Sequence, residues 1–334
     1  MSLPALIAIV LGFSLSAYAI FAGADFGAGI LDLTTGGKRA GERRAITHTI
    51  GPLWEANHVW LIFSITILFS AFPTGFAALG TVTLIPLTLA VMAIVVRGVA
   101  FGLHPDPAGQ ARSDRLLGRA FGAASVAAPF LFGATAAAVA QVSTLARRTA
   151  TPLSIPWTGL FAAVVGLLAV ALCAHLAASF IANQLGHAGD PGLAERFGRR
   201  ALQSGASVLA LGAVSLAIAA WKAPALWHRV STTALPLLAI GLLAIVTSLY
   251  AFARRRYLLA RAASMLTAAA ILWGWLIAQS PRLVGTRLSI HSAAATPAAL
   301  TGFAIAFGVV LVAVIPAFFL LYALSRRPES EVIQ

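Results

Sequence analysis

Eight long runs of the chain carry no charged side chain, at residues 1–24, 59–96, 120–146, 149–189, 201–221, 230–253, 262–281 and 288–325. A soluble fold can hide one such run in its core. Eight in 334 residues leave too little polar surface to cover them. Charged residues make up 10% of the chain, against roughly 25% in soluble domains. The fold class is therefore an all-α integral membrane protein whose solvent is the lipid bilayer. The net charge of +13 does not indicate nucleic acid, because the basic residues sit in short clusters between apolar runs, as topology determinants do. The single cysteine, Cys173, lies inside an apolar run and excludes a disulfide frame and a cysteine-based metal centre. The N-terminus has no basic segment ahead of its apolar run, so Ala17-Tyr18-Ala19 reads as packed helix rather than as a leader cleavage site.

A spanning helix needs about 20 apolar residues. The run at 59–96 is too long for one span and contains Phe72-Pro73-Thr74-Gly75, a turn signal that divides it. Nine transmembrane helices follow, at about 3–33, 51–72, 76–104, 119–142, 157–183, 201–221, 233–253, 258–279 and 298–325, forming a single polytopic domain over 1–334. The odd connections and the C-terminal tail hold 16 basic residues and the even connections hold 6. The positive-inside rule then places the N-terminus in the periplasm and the C-terminus in the cytoplasm. Trp157, Trp221, Trp227, Trp273 and Trp275 fall at the outer interface, and Trp54 and Trp60 towards the inner one. No loop is long enough for a soluble domain, and no phosphate loop is present, which argues against a chain that consumes ATP by itself.

Ionisable residues inside the bilayer cost roughly 2.5–3.5 kcal/mol each and mark function by default. Asp25, Glu55 and Arg97 qualify, and the topology brings all three to one depth near the cytoplasmic side. Tyr18, Asp25 and Asp32, seven residues apart, form a polar stripe with Ser14 on the first helix. Glu55 and His58 are neighbours at i and i+3, Thr66 shares their stripe, and Asn57 adds a hydrogen-bonding group. Gly23 and Gly27 make a small-xxx-small surface for close approach of another helix. Two roles compete. Arg97 can pair with Asp25 or Glu55 to lock the bundle, since a guanidinium does not give up its proton. Glu55 and His58, with Asp25, can form a proton pathway. His48, His58, His104 and His175 lack haem or zinc spacing, so no metal and no directly bound haem is expected.

GADFGAGILDL (23–33), ERRAITHTIGPLWEANHVWLIF (42–63), FSAFP (69–73) and VVRGVAFGLH (95–104) carry a resemblance. They resemble subunit II of the cytochrome bd-type quinol oxidases, with W-[DE]-x-N-x-V-W as the most specific element. The resemblance implies two four-helix bundles plus a peripheral helix. It implies a multi-pass protein of the bacterial cytoplasmic (inner) membrane that braces a partner, subunit I. In such complexes haems b and d belong to subunit I, which oxidises quinol and reduces dioxygen to water. The resemblance also implies a cytoplasmic proton-uptake route through the residue matching Glu55, and leaves room for a structural quinone and a small accessory subunit. Glu55 in place of Asp, and His58, suit the divergent, cyanide-insensitive-like branch. Two other readings compete: a secondary transporter using Asp25, Glu55 and Arg97, and a pure assembly scaffold with no proton role.

Overall fold

A bilayer offers the backbone no hydrogen-bond partners, so apolar runs close their bonds internally as helices. The computed structural model, which describes the backbone of residues 2–35, 40–103, 112–145, 157–284 and 288–325, is helical almost throughout. Its long helices are α1 (Leu3–Thr35), α2 (Ala40–Ala71), α4 (Leu84–Gly102), α5 (Arg112–Leu145), α6 (Leu160–His187), α7 (Pro191–Lys222), α9 (Leu235–Ala253), α10 (Tyr257–Gln279) and α12 (Pro297–Ser325). Shorter elements join them: α3 (Pro73–Val82), α8 (Pro224–Ser231), strands β1 (Arg282–Val284) and β2 (Leu288–Ser289), and α11 (Ile290–Ala293). Seven helices, namely α1, α4, α5, α6, α7, α9 and α10, are long and apolar enough to cross a membrane, and the bent pair α2–α3 makes an eighth candidate.

Two sets of helices share one packing pattern. In the first, α1 packs on α2 and α5, and α4 on α5; in the second, α6 packs on α7 and α10, and α9 on α10. The sets meet chiefly where α1 and α5 lie against α6, and α12 lies on α1 and α2 of the first set. Glycine sets the central crossing. A Cβ at Gly27 would collide with the Cys173 carbonyl, and one at Gly23 would sit 2.9 Å from Leu176 Cδ1. The small-xxx-small surface of α1 therefore faces α6. Inserting side-chain volume into a packed contact costs about 1–3 kcal/mol, occasionally more, and here the obstacle is backbone, which cannot rotate away. Gly27→Leu should abolish or strongly lower recovery of folded chain, read by size-exclusion monodispersity in detergent, whereas Gly80→Ala, with open space around it, should not.

The turn signal at Pro73 corresponds to a 115° bend between 57–71 and α3. Phe72, with φ −133° and ψ 56°, adopts a non-helical conformation, consistent with the restriction that Pro imposes on its predecessor. Other boundaries differ from the sequence reading. The segment expected as one helix at 76–104 is broken at Thr83, because Pro86 has no N–H to give the Val82 carbonyl. The helix expected at 51–72 begins at Ala40, and that expected at 201–221 begins at Pro191. Both extensions run through charged residues, at which a hydropathy reading stops but a helix need not. Asp190 caps α7 by accepting from the Leu193 N–H at 3.0 Å. The antiparallel pairing of β1 with β2 is an addition to the all-α expectation, and it closes one end of the molecule together with α3, α8 and α11.

Candidate functional site

The first set of helices is cross-braced by a buried charge cluster at the end far from the strands. Asp25 on α1 is fully buried and Arg97 on α4 is 3% exposed. Arg97 grips Asp25 with both terminal nitrogens, Nη1 to Oδ2 at 2.7 Å and Nη2 to Oδ1 at 2.5 Å, and Nη2 also reaches the Asp25 carbonyl at 3.1 Å. Its Nε donates to Ser125 Oγ of α5 at 2.9 Å, and that hydroxyl donates to the Phe121 carbonyl. From α2, Asn57 Nδ2 donates to Asp25 Oδ2 at 2.7 Å. The guanidinium lies between the rings of Phe26 and Phe121, at 5.1 and 4.7 Å from their centroids. Four helices thus converge on one bidentate ion pair, the strong form of a charged hydrogen bond. Local sequence allows it: a Cβ at Gly29 would clash with the Ser125 side chain.

Chemically, this cluster is a lock. Both carboxylate oxygens of Asp25 already accept bonds, and Arg97 cannot relay a proton. Of the residues singled out from sequence, Asp25, Asn57 and Arg97 come together here. His58 is half-buried on α2. The Trp60 carbonyl, one turn on from Asn57, accepts from Ser14 Oγ at 3.2 Å and Ser64 Oγ at 2.8 Å, tying α1 to α2 a second time. The side chains of Glu55 and Trp54 lie outside the described residues. The helical backbone does assign position 55 to a stripe, however. Four, seven, eleven and fourteen residues on, it continues through Val59, Ile62, Thr66 and Phe69, with Val59 and Ile62 64% exposed and Phe69 60%. Among the described residues, that stripe is an exposed face of α2.

Two further polar clusters were not foreseen. Glu42, 1% exposed, binds Arg200 of α7 at 2.6 Å and Arg196 at 3.6 Å. These residues stand in loops that sequence reading assigned to topology alone. Removing an acceptor from a charged hydrogen bond costs roughly 1.5–3 kcal/mol. Glu42→Ala should therefore lower the thermal midpoint in detergent, and Glu195→Ala, whose pairs with Arg199 and Arg255 are exposed, should leave it nearly unchanged. In the second set, His175 of α6 is fully buried. Its Nδ1 meets the Ala201 carbonyl at 2.9 Å, and its Nε2 meets Ser248 and Ser264 hydroxyls at 3.1 and 3.0 Å. With both ring nitrogens engaged, His175 does not fit an axial haem ligand. Among the described residues no group of three His, Cys, Asp or Glu side chains could hold a metal ion.

Comparison with known proteins adds four findings. Residues 3–325 match the family described as cytochrome bd terminal oxidase subunit II. Cytochrome bd ubiquinol oxidase subunit 2 of Bacillus subtilis is 40% identical over 79 residues, 24% of this chain and 23% of that protein. Cytochrome bd-I ubiquinol oxidase subunit 2 of Escherichia coli is 32% identical over 93 residues, 28% and 24% of the two chains. The matched stretches span about a quarter of those relatives' length. A chain from the structure of bd oxidase from Geobacillus thermodenitrificans shares the fold, with a TM-score of 0.78 and 22% identity over 98% of this chain and 99% of that one.

Proposed function

The chain belongs to the cytochrome bd terminal oxidase subunit II family, and from that membership we propose that it is the haem-free subunit of a bd-type quinol:dioxygen oxidoreductase in the bacterial inner membrane. Haems b and d belong to subunit I, which oxidises quinol. This chain braces it and adds a cytoplasmic proton-uptake route beginning at Glu55, with His58 one turn on. The observation that carries the reading is the division of labour on α2. Asn57 faces inward and is spent on the Asp25–Arg97 lock, while position 55 falls on the open, apolar stripe of Val59, Ile62 and Phe69. A helix face left open at this register suits a proton hand-over between subunits. Asp25 belongs to the lock in this reading.

Nine spans complete the topology, with α2 and α12 added to the seven. The charge asymmetry supports a periplasmic N-terminus and a cytoplasmic C-terminus. A reduced-minus-oxidised visible spectrum of the tagged chain, purified in mild detergent from its native membranes, tests the assignment. Bands of b- and d-type haems together with a second large membrane subunit are expected. Bands of b-type haem alone would point to the divergent branch of the same oxidases. A colourless preparation from cells making the complex would refute the oxidase reading.

A further inference from the structure

The end of the molecule closed by the strands is the end that the positive-inside rule leaves poor in basic residues, yet its connections hold Arg147, Arg148, Lys222, Arg229, Arg282 and Arg287. All ten acidic residues fall on the opposite connections or the helix halves adjoining them. The connections that hold these cations therefore carry no acidic residue, and the cations oppose the topology signal. The structure shows where two of them gather. Arg229 of α8, Arg282 of β1 and Gln279 at the end of α10 line one open pocket over Leu226 and Ala278. Arg229 Nε is buried and has no hydrogen-bond partner among the described residues. Trp275, whose Nε1 is also buried without an acceptor, packs on the same apolar cluster as Leu226 and Ala278. Buried donors without acceptors are rare in folded proteins and often mark a missing ion or water. Among the described residues neither Arg229 nor Arg282 makes an ion pair.

We propose that this pocket binds a phosphate group, either the headgroup of an anionic phospholipid in the outer leaflet or free inorganic phosphate. Two guanidinium groups carry donors only, the Gln279 carboxamide can add its NH2, and guanidinium is the side chain best matched to phosphate. The pocket is shallow and open at its mouth, so a phosphate would sit at that mouth against the two guanidinium groups, and lipid tails would lie outside against the apolar surface. Exposed Trp221, with Lys222 over its ring at 3.9 Å, marks the same end as a membrane–water interface.

Arginine-selective labelling with phenylglyoxal, mapped by peptide mass spectrometry on the full complex in mild detergent, reads the site without altering the chain. Phosphatidylglycerol should slow labelling of Arg229 and Arg282 by roughly tenfold relative to phosphatidylcholine, as expected for charged hydrogen bonds. Arg254 and Arg256, at the opposite end, should label at nearly unchanged rates. Protection by inorganic phosphate alone, matching that by phosphatidylglycerol, would support the site and assign it to the free anion. Equal protection by phosphatidylcholine, equal protection at Arg254 and Arg256, or no protection by either anion would overturn the proposal. In an Arg229→Gln complex, phosphatidylglycerol should no longer protect Arg282, and retained protection would overturn the shared site.

Discussion

Arg97→Ala is expected to remove most of the assembled complex from the membrane. The substitution leaves Asp25, fully buried among α1, α2, α4 and α5, with Asn57 as its remaining side-chain donor. Breaking a buried pair by deleting one partner costs about 3–5 kcal/mol, comparable with the whole stability of many domains. Removing both charges should be far milder, because the cost lies in the orphaned charge rather than in the lost bond. The pair Arg97→Ala with Asp25→Ala should therefore recover much of the yield that the single change loses. Arg97→Lys should fall between them, since an ammonium cannot hold both carboxylate oxygens and reach Ser125 at once. Thermal midpoints of the purified complexes by size exclusion give the comparison. An Arg97→Ala complex melting like the unaltered one would show that the cluster does not brace the fold.

The contrast between this cluster and the others shows what a sequence of this kind discloses. Charges inside apolar runs stand out individually, and alternating topology gives them a common depth, so the convergence of Asp25 and Arg97 could be anticipated. Which acid Arg97 takes could not, because helix rotation about its axis decides it, and that rotation is set by packing such as Gly27 on Cys173. The pairing of Glu42 with Arg200, 158 residues apart, was hidden because both stand among charges that topology already explains. His175 with Ser248 and Ser264 was hidden for another reason: isolated serines in apolar helices commonly bond their own backbone, as Ser264 does to the Ala260 carbonyl. The repeated packing of the two helix sets left no visible repeat, since lipid-facing and helix-facing positions are both apolar. Proline was more informative at Pro73, where it follows a long apolar run, than at Pro86, where the break precedes it by three residues.

Glu55→Leu is the second large effect, and it is kinetic. Among the described residues the lock is made by Asp25, Arg97, Asn57 and Ser125, so the substitution at 55 should leave assembly intact, and a leucine suits the helix stripe shared with Val59 and Ile62. A positioned carboxyl that passes protons contributes on the order of a hundredfold or more to a proton-transfer step. If that step feeds dioxygen reduction, turnover should fall by at least about tenfold. Glu55→Asp should keep much of the activity and Glu55→Gln little, since the amide matches the size of the side chain but cannot exchange a proton. The scaffold reading separates here, because it predicts that all three variants work once assembled.

Oxygen consumption per haem by the purified Glu55→Leu complex, with quinol supplied in excess, is the most direct measurement. Unaltered haem bands with turnover reduced about tenfold or more would be the result of a chain that both braces its partner and carries protons to it. Full turnover per haem would contradict the proton route and leave the chain as a brace alone.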